Sequence, residues 1–230
     1  MLFLKLKMKI VFAWGTPASV EWHKLMVKRL LEMGFSYRDF IFHGALRDEF
    51  KAKDINKPGG IKLRKELHQA IPDAQFMATL LNIPPPSGAT FKQIKQAGLL
   101  DFFKVWAISN GVTDSTINKL RQHKRTVWAY RCQRNMQTRS ILDYYRFFPW
   151  VGYFKKLDGV AFWTFYSRKG TDGFDHRDGY DDGMTLIDSD NRPVPSKQLE
   201  AVREGLEDVA YMDILKKHLE KAEKNKPAKS

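Results

Sequence analysis

Short apolar stretches alternate along the chain with longer segments whose apolar residues recur at helical spacing. We interpret six apolar stretches as strands, at 8–14, from 39 toward the acidic residues at 48 and 49, and at 74–81, 101–108, 125–131 and 160–165. Six segments are predicted to be helices, at 20–33, 62–70, 91–97, 115–123, 141–155 and 196–219. Because strands that alternate with helices are usually parallel and joined by right-handed crossovers, this pattern predicts an α/β fold with a parallel sheet.

Turn-forming residues separate these elements. Pro58-Gly59-Gly60 is predicted to lie in a loop before the second helix, and the Gly- and Asp-rich segment 168–191 is predicted to be a loop before the last helix. Gly34 is expected to end the first helix. We therefore expect one partial barrel domain over residues 1–219, followed by a basic, disordered tail over residues 220–230.

Two architectures have parallel strands in this order, an open doubly wound sheet and a closed barrel. No G-x-G-x-x-G motif follows the first strand and no phosphate-binding P-loop motif occurs, which disfavours a nucleotide-binding open sheet. Aromatic or polar residues instead stand at strand C-terminal ends, where a (β/α)8 barrel builds its site. These are Trp14, Asp48, Glu49, Asn82, Trp106, Tyr130 and Trp163. We expect a (β/α)8 TIM-barrel type of fold, incomplete because only about six strand-helix units are present.

The strand that begins at Asp39 leads directly into two adjacent carboxylates, Asp48 and Glu49. Strand alternation sends neighbours to opposite faces, so both acids can serve one pocket only where the strand ends. Two carboxylates in one pocket titrate apart, one protonated and one ionised, as glycoside cleavage requires. The alternative is a solvated loop pair with Arg47 as its counter-ion.

The composition is that of a globular chain with a surplus of positive charge. At 230 residues, with 43% hydrophobic and 13% aromatic content, the chain can bury a sizeable core. Thirty-nine Lys and Arg against 26 Asp and Glu give a net charge of +13, which raises the question of nucleic acid. The surplus is densest in the C-terminal tail and is not gathered in one groove-sized element, so we expect no nucleic-acid partner.

The sequence offers no signature of a metal, a cofactor or a membrane. Cys132 is the only cysteine, which excludes an intramolecular disulfide, and the six histidines show no metal-ligand spacing. We expect neither a metal nor a cofactor. The apolar N-terminus is interrupted by Lys5, Lys7 and Lys9, so no signal peptide or membrane span is predicted.

Several short blocks of sequence stand in a fixed order in the second half of the chain. The first blocks are R-T-V-W-A-Y at 125–130, Y-R-F-F-P-W at 145–150 and L-D-G-V-A-F-W at 157–163. The later blocks are D-G-M-T-L at 182–186, P-V-P-S at 193–196 and L-E-A-V-R-E-G-L-E-D at 199–208. In their order and spacing these blocks resemble the catalytic domain of glycoside hydrolase family 123 and its relatives. The similarity spans roughly residues 40–215 and is strongest after Arg125.

The resemblance implies a retaining N-acetylhexosaminidase on a (β/α)8 barrel, with an N-acetylated amino sugar glycan as substrate and the galacto series favoured. Asp48 and Glu49 match the adjacent Asp-Glu pair of that family, and Phe50 stands where the family typically has proline. By resemblance, Glu49 is the general acid and base. Asp48 would hold the substrate's own 2-acetamido group, whose carbonyl oxygen is the nucleophile, a substrate-assisted exception to the two-carboxylate scheme.

Four aromatic residues are candidates for substrate binding, and packing in the core is the alternative for each. Trp163 could form the apolar floor under a pyranose ring, and Tyr130 could donate its hydroxyl to the acetamido oxygen. Trp106 and Trp14 are further candidates. His43 is expected to be a satisfied core histidine. Another set matches family positions and is expected to be structural: Trp128, Tyr145, Trp150, Arg203 and Glu207.

Two other functional classes compete with the hydrolase. One is a non-catalytic carbohydrate-binding module or a truncated, inactive barrel, and the other is a basic nucleic-acid-binding domain, which a salt-sensitive affinity would reveal. An incomplete barrel also exposes sheet edges, which predicts self-association or the contribution of a missing N-terminal barrel segment.

Overall fold

The computed structural model describes residues 10–12, 19–43, 58–80, 90–109, 112–131, 140–162, 184–187, 190 and 192–224. The chain forms two compact units, Met1–Tyr130 and Arg131–Ser230. Each unit has its own secondary structure, and the predicted domain bounds at 1–219 and 220–230 stay a prediction.

The first unit is built on five parallel strands. They are β1 (Ile10–Phe12), β2 (Phe40–His43), β3 (Phe76–Leu80), β4 (Val105–Ser109) and β5 (Thr126–Arg131), whose last residue falls in the second unit. Each strand pairs with the next one in the chain, so their order in the sheet is their order in the sequence. A doubly wound sheet reverses its strand order at a switch point, and these five strands show no reversal.

The strands of this sheet are buried along their whole length rather than at alternate residues. Every residue of β2 and of β3 is buried, and so are the first four residues of β4. Continuous burial means that both faces of the sheet are covered, as in α/β folds. The predicted α/β class with a parallel sheet is confirmed, whereas the number of strand-helix units stays a prediction.

Five helices of the first unit are described: α1 (Val20–Glu32), α2 (Pro58–Ala70), α3 (Phe91–Gln96), α4 (Leu99–Phe102) and α5 (Asp114–Gln122). Ser19 caps α1 by accepting a hydrogen bond from the Trp22 amide at 3.3 Å. Gly34 follows the end of α1 with φ +86°, a left-handed conformation that suits glycine. The predicted helix at 20–33 and its glycine stop are therefore confirmed.

Two local predictions in the first unit were wrong. Pro58-Gly59-Gly60 forms the first turn of α2 instead of a loop, because proline at the first helical position needs no amide partner and has a suitable φ. Residues 101 and 102 belong to helix α4 instead of starting a strand, so β4 begins only at Val105. Gly98, at φ +68°, ends one short helix and allows the next to start directly after it.

The described part of the second unit consists mainly of helices. A π-helical turn (Leu142–Arg146) is followed by α6 (Phe148–Phe154), strand β6 (Gly159–Phe162) and the long helix α7 (Lys197–Lys224). Pro149 lies in the first turn of α6, so the predicted helical segment 141–155 is confirmed with an interruption before the proline. No helix in the part of the chain that the structure describes is long and apolar enough to cross a membrane.

The second unit contains a small hairpin that the sequence pattern did not predict. Strands β7 (Thr185–Ile187) and β8 (Pro193–Pro195) pair antiparallel where a loop up to residue 191 was predicted. Three-residue strands are too short to show a period in the sequence. The turn-forming residues 188–191 between them could nevertheless have indicated a hairpin. Helix α7 also continues to Lys224, so residues 220–224 of the predicted tail are helical, and residues 225–230 lie outside the described part.

Candidate functional site

The register of the parallel sheet decides which side chains share a face. His43 is paired with Met77, Thr79 with Ala107, and Ser109 with Tyr130. Residues two apart along a strand point to the same face of the sheet, and paired residues of neighbouring strands do so too. One face therefore carries the side chains of His43, Thr79, Ser109, Trp128 and Tyr130, and we call it the polar face.

Helices cover the opposite face. The His23 ring of α1 lies 4.9 Å from the Phe42 ring and 5.9 Å from the Phe76 ring, measured between centroids. Phe76 also stacks on Phe102 of α4, at 4.5 Å. Phe42, Phe76 and, by register, Trp106 therefore belong to the helix-covered face.

His43 and Thr79 form a buried hydrogen bond across neighbouring strands. The His43 Nε2 and Thr79 Oγ1 atoms are 2.9 Å apart, and both residues are almost completely buried. The expectation that His43 is a satisfied core histidine is confirmed. Because His43 is the last residue of β2, this bond fixes the strand end from which the chain continues to Asp48 after five residues of sequence.

Two predicted substrate-binding residues fall on different faces. Tyr130 is half-buried near the C-terminal end of β5 and belongs to the polar face, beside Ser109. Trp106 is fully buried on the helix-covered face, and its indole Nε1 donates a hydrogen bond to the Phe103 carbonyl at 3.2 Å. The position of Tyr130 fits a site at the strand ends, whereas the contacts of Trp106 favour its packing role over sugar binding.

The remaining predicted site residues lie outside the described part of the chain. These are Asp48, Glu49, Trp14 and Trp163. In the described residues, no group of three His, Cys, Asp or Glu side chains is placed to hold a metal ion.

A charged cluster in the second unit was not anticipated. Arg146 binds Asp208 through two hydrogen bonds, Nε to Oδ2 at 2.9 Å and Nη2 to Oδ1 at 3.2 Å. The indole of Trp150 donates to the same carboxylate at 3.2 Å, and Glu204 lies 3.0 Å from the Arg146 guanidinium. The hydrogen bonds from Arg146 lower the pKa of Asp208, so this carboxylate is held ionised.

Gly205 allows α7 to approach the π-helical turn closely enough for this cluster to form. A Cβ atom at Gly205 would lie 2.1 Å from the Arg146 carbonyl oxygen and 3.1 Å from Pro149 Cγ. Two of the sequence blocks, Y-R-F-F-P-W at 145–150 and the block at 199–208, thus meet at one junction. The hydrogen bond from Trp150 to Asp208 agrees with the structural role predicted for Trp150. The two sequence blocks were the signal from which this junction could have been found.

Arg131 fixes the start of the same unit. Its guanidinium donates to the carbonyls of Asp143 at 3.0 Å and Tyr144 at 2.6 Å, and it lies 4.2 Å from the centre of the Phe148 ring. Charged donors of this kind satisfy carbonyls that a π-helical turn leaves without a regular helical partner. Arg131 therefore stabilises the turn that carries Arg146.

A cavity of about 220 Å³ lies among the helices of the first unit. Its lining includes Arg64 and His68 of α2, Gly98, and Asp101 and Phe102 of α4. Since Phe102 packs on the helix-covered face, this cavity is separate from the polar face.

Comparisons with known proteins give similarity to solved structures but no sequence match. No family model matches the sequence, and no curated protein matches it. Among solved structures, the chain is similar to a protein described as a glycerophosphoryl diester phosphodiesterase from Silicibacter pomeroyi DSS-3, with 11% sequence identity and a TM-score of 0.37. The alignment covers 62% of this chain and 39% of that one, so the chain spans about two fifths of that structure's length. A similarity at this level identifies neither a family nor a function.

Proposed function

We propose that the chain belongs to a retaining glycoside hydrolase of the N-acetylhexosaminidase type, with a (β/α)8 barrel as its complete fold. The strand order supports the barrel. Parallel strands that follow one another in sequence order with right-handed crossovers place every helix on the same face, so the second face needs another cover. Closure of the sheet into a barrel supplies that cover with the side chains of the strands themselves.

The position of β2 is the observation on which the proposal rests. This strand is buried along its whole length and pairs with β1 on one side and β3 on the other. His43, at its end, lies on the polar face together with Tyr130. The sequence reaches Asp48 and Glu49 five and six residues later, after the end of a strand inside the sheet, where barrel enzymes carry their catalytic groups.

The chemistry assigned to the two acids follows from their separate tasks. Glu49 protonates the leaving glycosidic oxygen and then takes a proton from the attacking water. Asp48 stays ionised and stabilises the positive charge that develops on the oxazolinium, which the substrate's acetamido oxygen forms by attacking the anomeric carbon. Tyr130 donates to the acetamido group, and Trp163 or Trp14 supplies an apolar surface for the sugar ring.

The test is hydrolysis of aryl 2-acetamido-2-deoxy-β-galactosides and glucosides. We expect cleavage with retention of configuration, and almost no cleavage of the matching 2-hydroxy sugars, because no protein nucleophile replaces the missing carbonyl oxygen. Equal rates on both kinds of sugar would contradict the mechanism. Sugar binding without turnover would favour the carbohydrate-binding module.

Two variants separate the roles of the acids. Glu49→Gln cannot give a proton, so it should slow a substrate with a poor leaving group by about 10²- to 10⁴-fold and one with an acidic leaving group much less. Asp48→Asn should slow both substrates, because the charge it removes acts whatever group departs. The assignment fails if both variants respond alike to leaving-group acidity, as measured on one pair of aryl glycosides.

A further inference from the structure

The cavity between α2 and the start of α4 has one basic wall. On the α2 side it is lined by Ile61, Arg64, Lys65 and His68. Their spacing of three or four residues places them along one side of the helix, and we call these four residues the basic wall. The carboxylate of α2, Glu66, lies elsewhere on the helix, 3.7 Å from the Lys62 ammonium. The side of α2 that faces the cavity therefore carries basic residues and no acid.

Arg64 is the buried member of the basic wall. Only 7% of this residue is exposed, whereas Lys65 and His68 are exposed. Water screens a charge less when it is buried, so an anion beside Arg64 would interact with it more strongly than at the surface. A guanidinium also presents a planar set of donors that matches phosphate oxygens. The wall thus offers one buried and two exposed donors to an anion.

The opposite wall is apolar, with one acid at its edge. Its largest side chain is Phe102, which is held by stacking on Phe76 at 4.5 Å. Asp101 also lines the cavity, but its side chain is 90% exposed and its Oδ1 lies 4.0 Å from the Arg125 guanidinium. This acid therefore points to solvent and has its own counter-ion. A ligand that suits both walls has a small apolar group and a negative charge.

We propose that this cavity binds a small phosphate monoester, with its phosphate on the basic wall and its apolar ring or short chain against Phe102. The two cations Arg64 and Lys65 match a phosphate that carries a charge of about −1.5 to −2 at pH 7. The cavity volume of about 220 Å³ lies below the roughly 300 Å³ at which pockets for drug-sized ligands begin, so the ligand is no larger than a single ring with its phosphate. Because the cavity is separate from the polar face, the inference does not depend on the proposed hydrolase.

Phenyl phosphate is the probe, and an NMR titration of the ¹⁵N-labelled full chain locates it. We expect saturable shifts at the amides of Gly98, Asp101 and Phe102. Inorganic phosphate, which lacks the ring, should bind at least about fivefold more weakly. Benzoate, which has the ring but a single charge, should also bind more weakly. Equal affinity for phosphate and phenyl phosphate, tighter binding of benzoate, or an absence of saturable shifts at these amides overturns the proposal.

Variants on two sides of the same helix separate this site from the general attraction of a chain with a net charge of +13. Lys65→Gln should raise the dissociation constant of phenyl phosphate about three- to tenfold. Lys62→Gln is the matched control, since it removes the same charge outside the cavity, and it should change the constant less than twofold.

A third variant should improve binding, which a misfolded protein would not do. Asp101→Asn removes a like charge from the edge of the cavity, so it should lower the dissociation constant of phenyl phosphate about two- to fivefold. Weaker binding in Asp101→Asn, or equal effects of Lys62→Gln and Lys65→Gln, would show that the anion does not occupy this cavity.

Discussion

His23 shows how burial of one titratable side chain links stability to pH. It is fully buried, and its Nδ1 donates a hydrogen bond to the Ser19 carbonyl at 2.7 Å. Its Nε2 lies among aromatic rings with no hydrogen-bond partner in the described residues. Burial lowers the pKa of His23, only partly offset by the Ser19 bond, because a proton on Nε2 would bring a buried charge without an acceptor.

The first expectation is a loss of stability on acidification. In the unfolded chain this histidine takes up a proton near its ordinary pKa of about 6.5, whereas the folded protein takes it up only at lower pH. The stability is therefore complete above about pH 6.5 and falls as the pH drops from there to the lowered folded-state pKa, by at most about 1.4 kcal/mol per pH unit.

Urea unfolding at a series of pH values from 5 to 8 measures this dependence. His23→Leu should flatten it, whatever its effect on stability at neutral pH. An unchanged slope in His23→Leu would show that other groups cause the dependence.

The junction between α7 and the π-helical turn depends on a close backbone approach. Gly205 has the Arg146 carbonyl at the position that a side chain would need, and Asp208, one turn further on, binds the guanidinium of the same arginine. The missing side chain and the ion pair therefore act together, because the helix must come close before Asp208 can reach Arg146.

A methyl group at this position should be costly. Gly205→Ala would put Cβ 2.1 Å from the Arg146 oxygen, so the helix has to move away, and we expect a loss of about 1–3 kcal/mol as in other overpacked sites. Gly59→Ala is the matched control, because it makes the same change in α2 where nothing lies within 4 Å. That variant should be neutral or up to about 1 kcal/mol more stable.

Both free energies can be measured by chemical unfolding of the full chain. The packing argument fails if Gly205→Ala is as stable as Gly59→Ala. The double variant Gly205→Ala with Asp208→Asn tests the ion pair. If it is no less stable than Gly205→Ala alone, the shift of the helix has already broken the pair between Asp208 and Arg146.

The elements that could be predicted are those that local sequence determines. Helix α1 has a clear apolar period and a glycine stop, so both ends were found within a residue. Helix α4 and the hairpin were missed because four and three residues are too few to show a period. The start of α2 was missed because Pro58 was interpreted as a helix breaker, although it is tolerated in a first turn.

The candidate site depends on pairing between distant strands, which local sequence does not contain. His43 and Thr79 are 36 residues apart, and their hydrogen bond follows from the register of β2 with β3. The same applies to Trp106 and Tyr130. Both were predicted at strand C-terminal ends, which is correct for Tyr130 but wrong for Trp106, the second residue of β4. Only the pairing of Ser109 with Tyr130 shows that Trp106 faces the helices and Tyr130 does not.

The chain forms two compact units with different kinds of core. The first unit contains the continuous buried strands β2, β3 and β4. The second unit is held by the packing of α7 on the π-helical turn and by a small cluster around Tyr144, Tyr145 and Val202. Since cooperative opening tends to follow such compact units, each unit should have its own free energy of opening.

Amide hydrogen exchange of the full chain tests this division. In the unmodified protein we expect the strongest protection in β2, β3 and β4, whose amides are paired within a buried sheet. Gly205→Ala should speed exchange across the π-helical turn, α6 and the first half of α7, by about 5- to 150-fold for a loss of 1–3 kcal/mol, because opening of that unit becomes easier. Exchange in β3 and β4 should change less than twofold.

Gly59→Ala should leave both regions protected, which controls for the effect of any glycine replacement. If Gly205→Ala accelerates exchange equally in both units, the chain opens as one cooperative body and its stability is not divided.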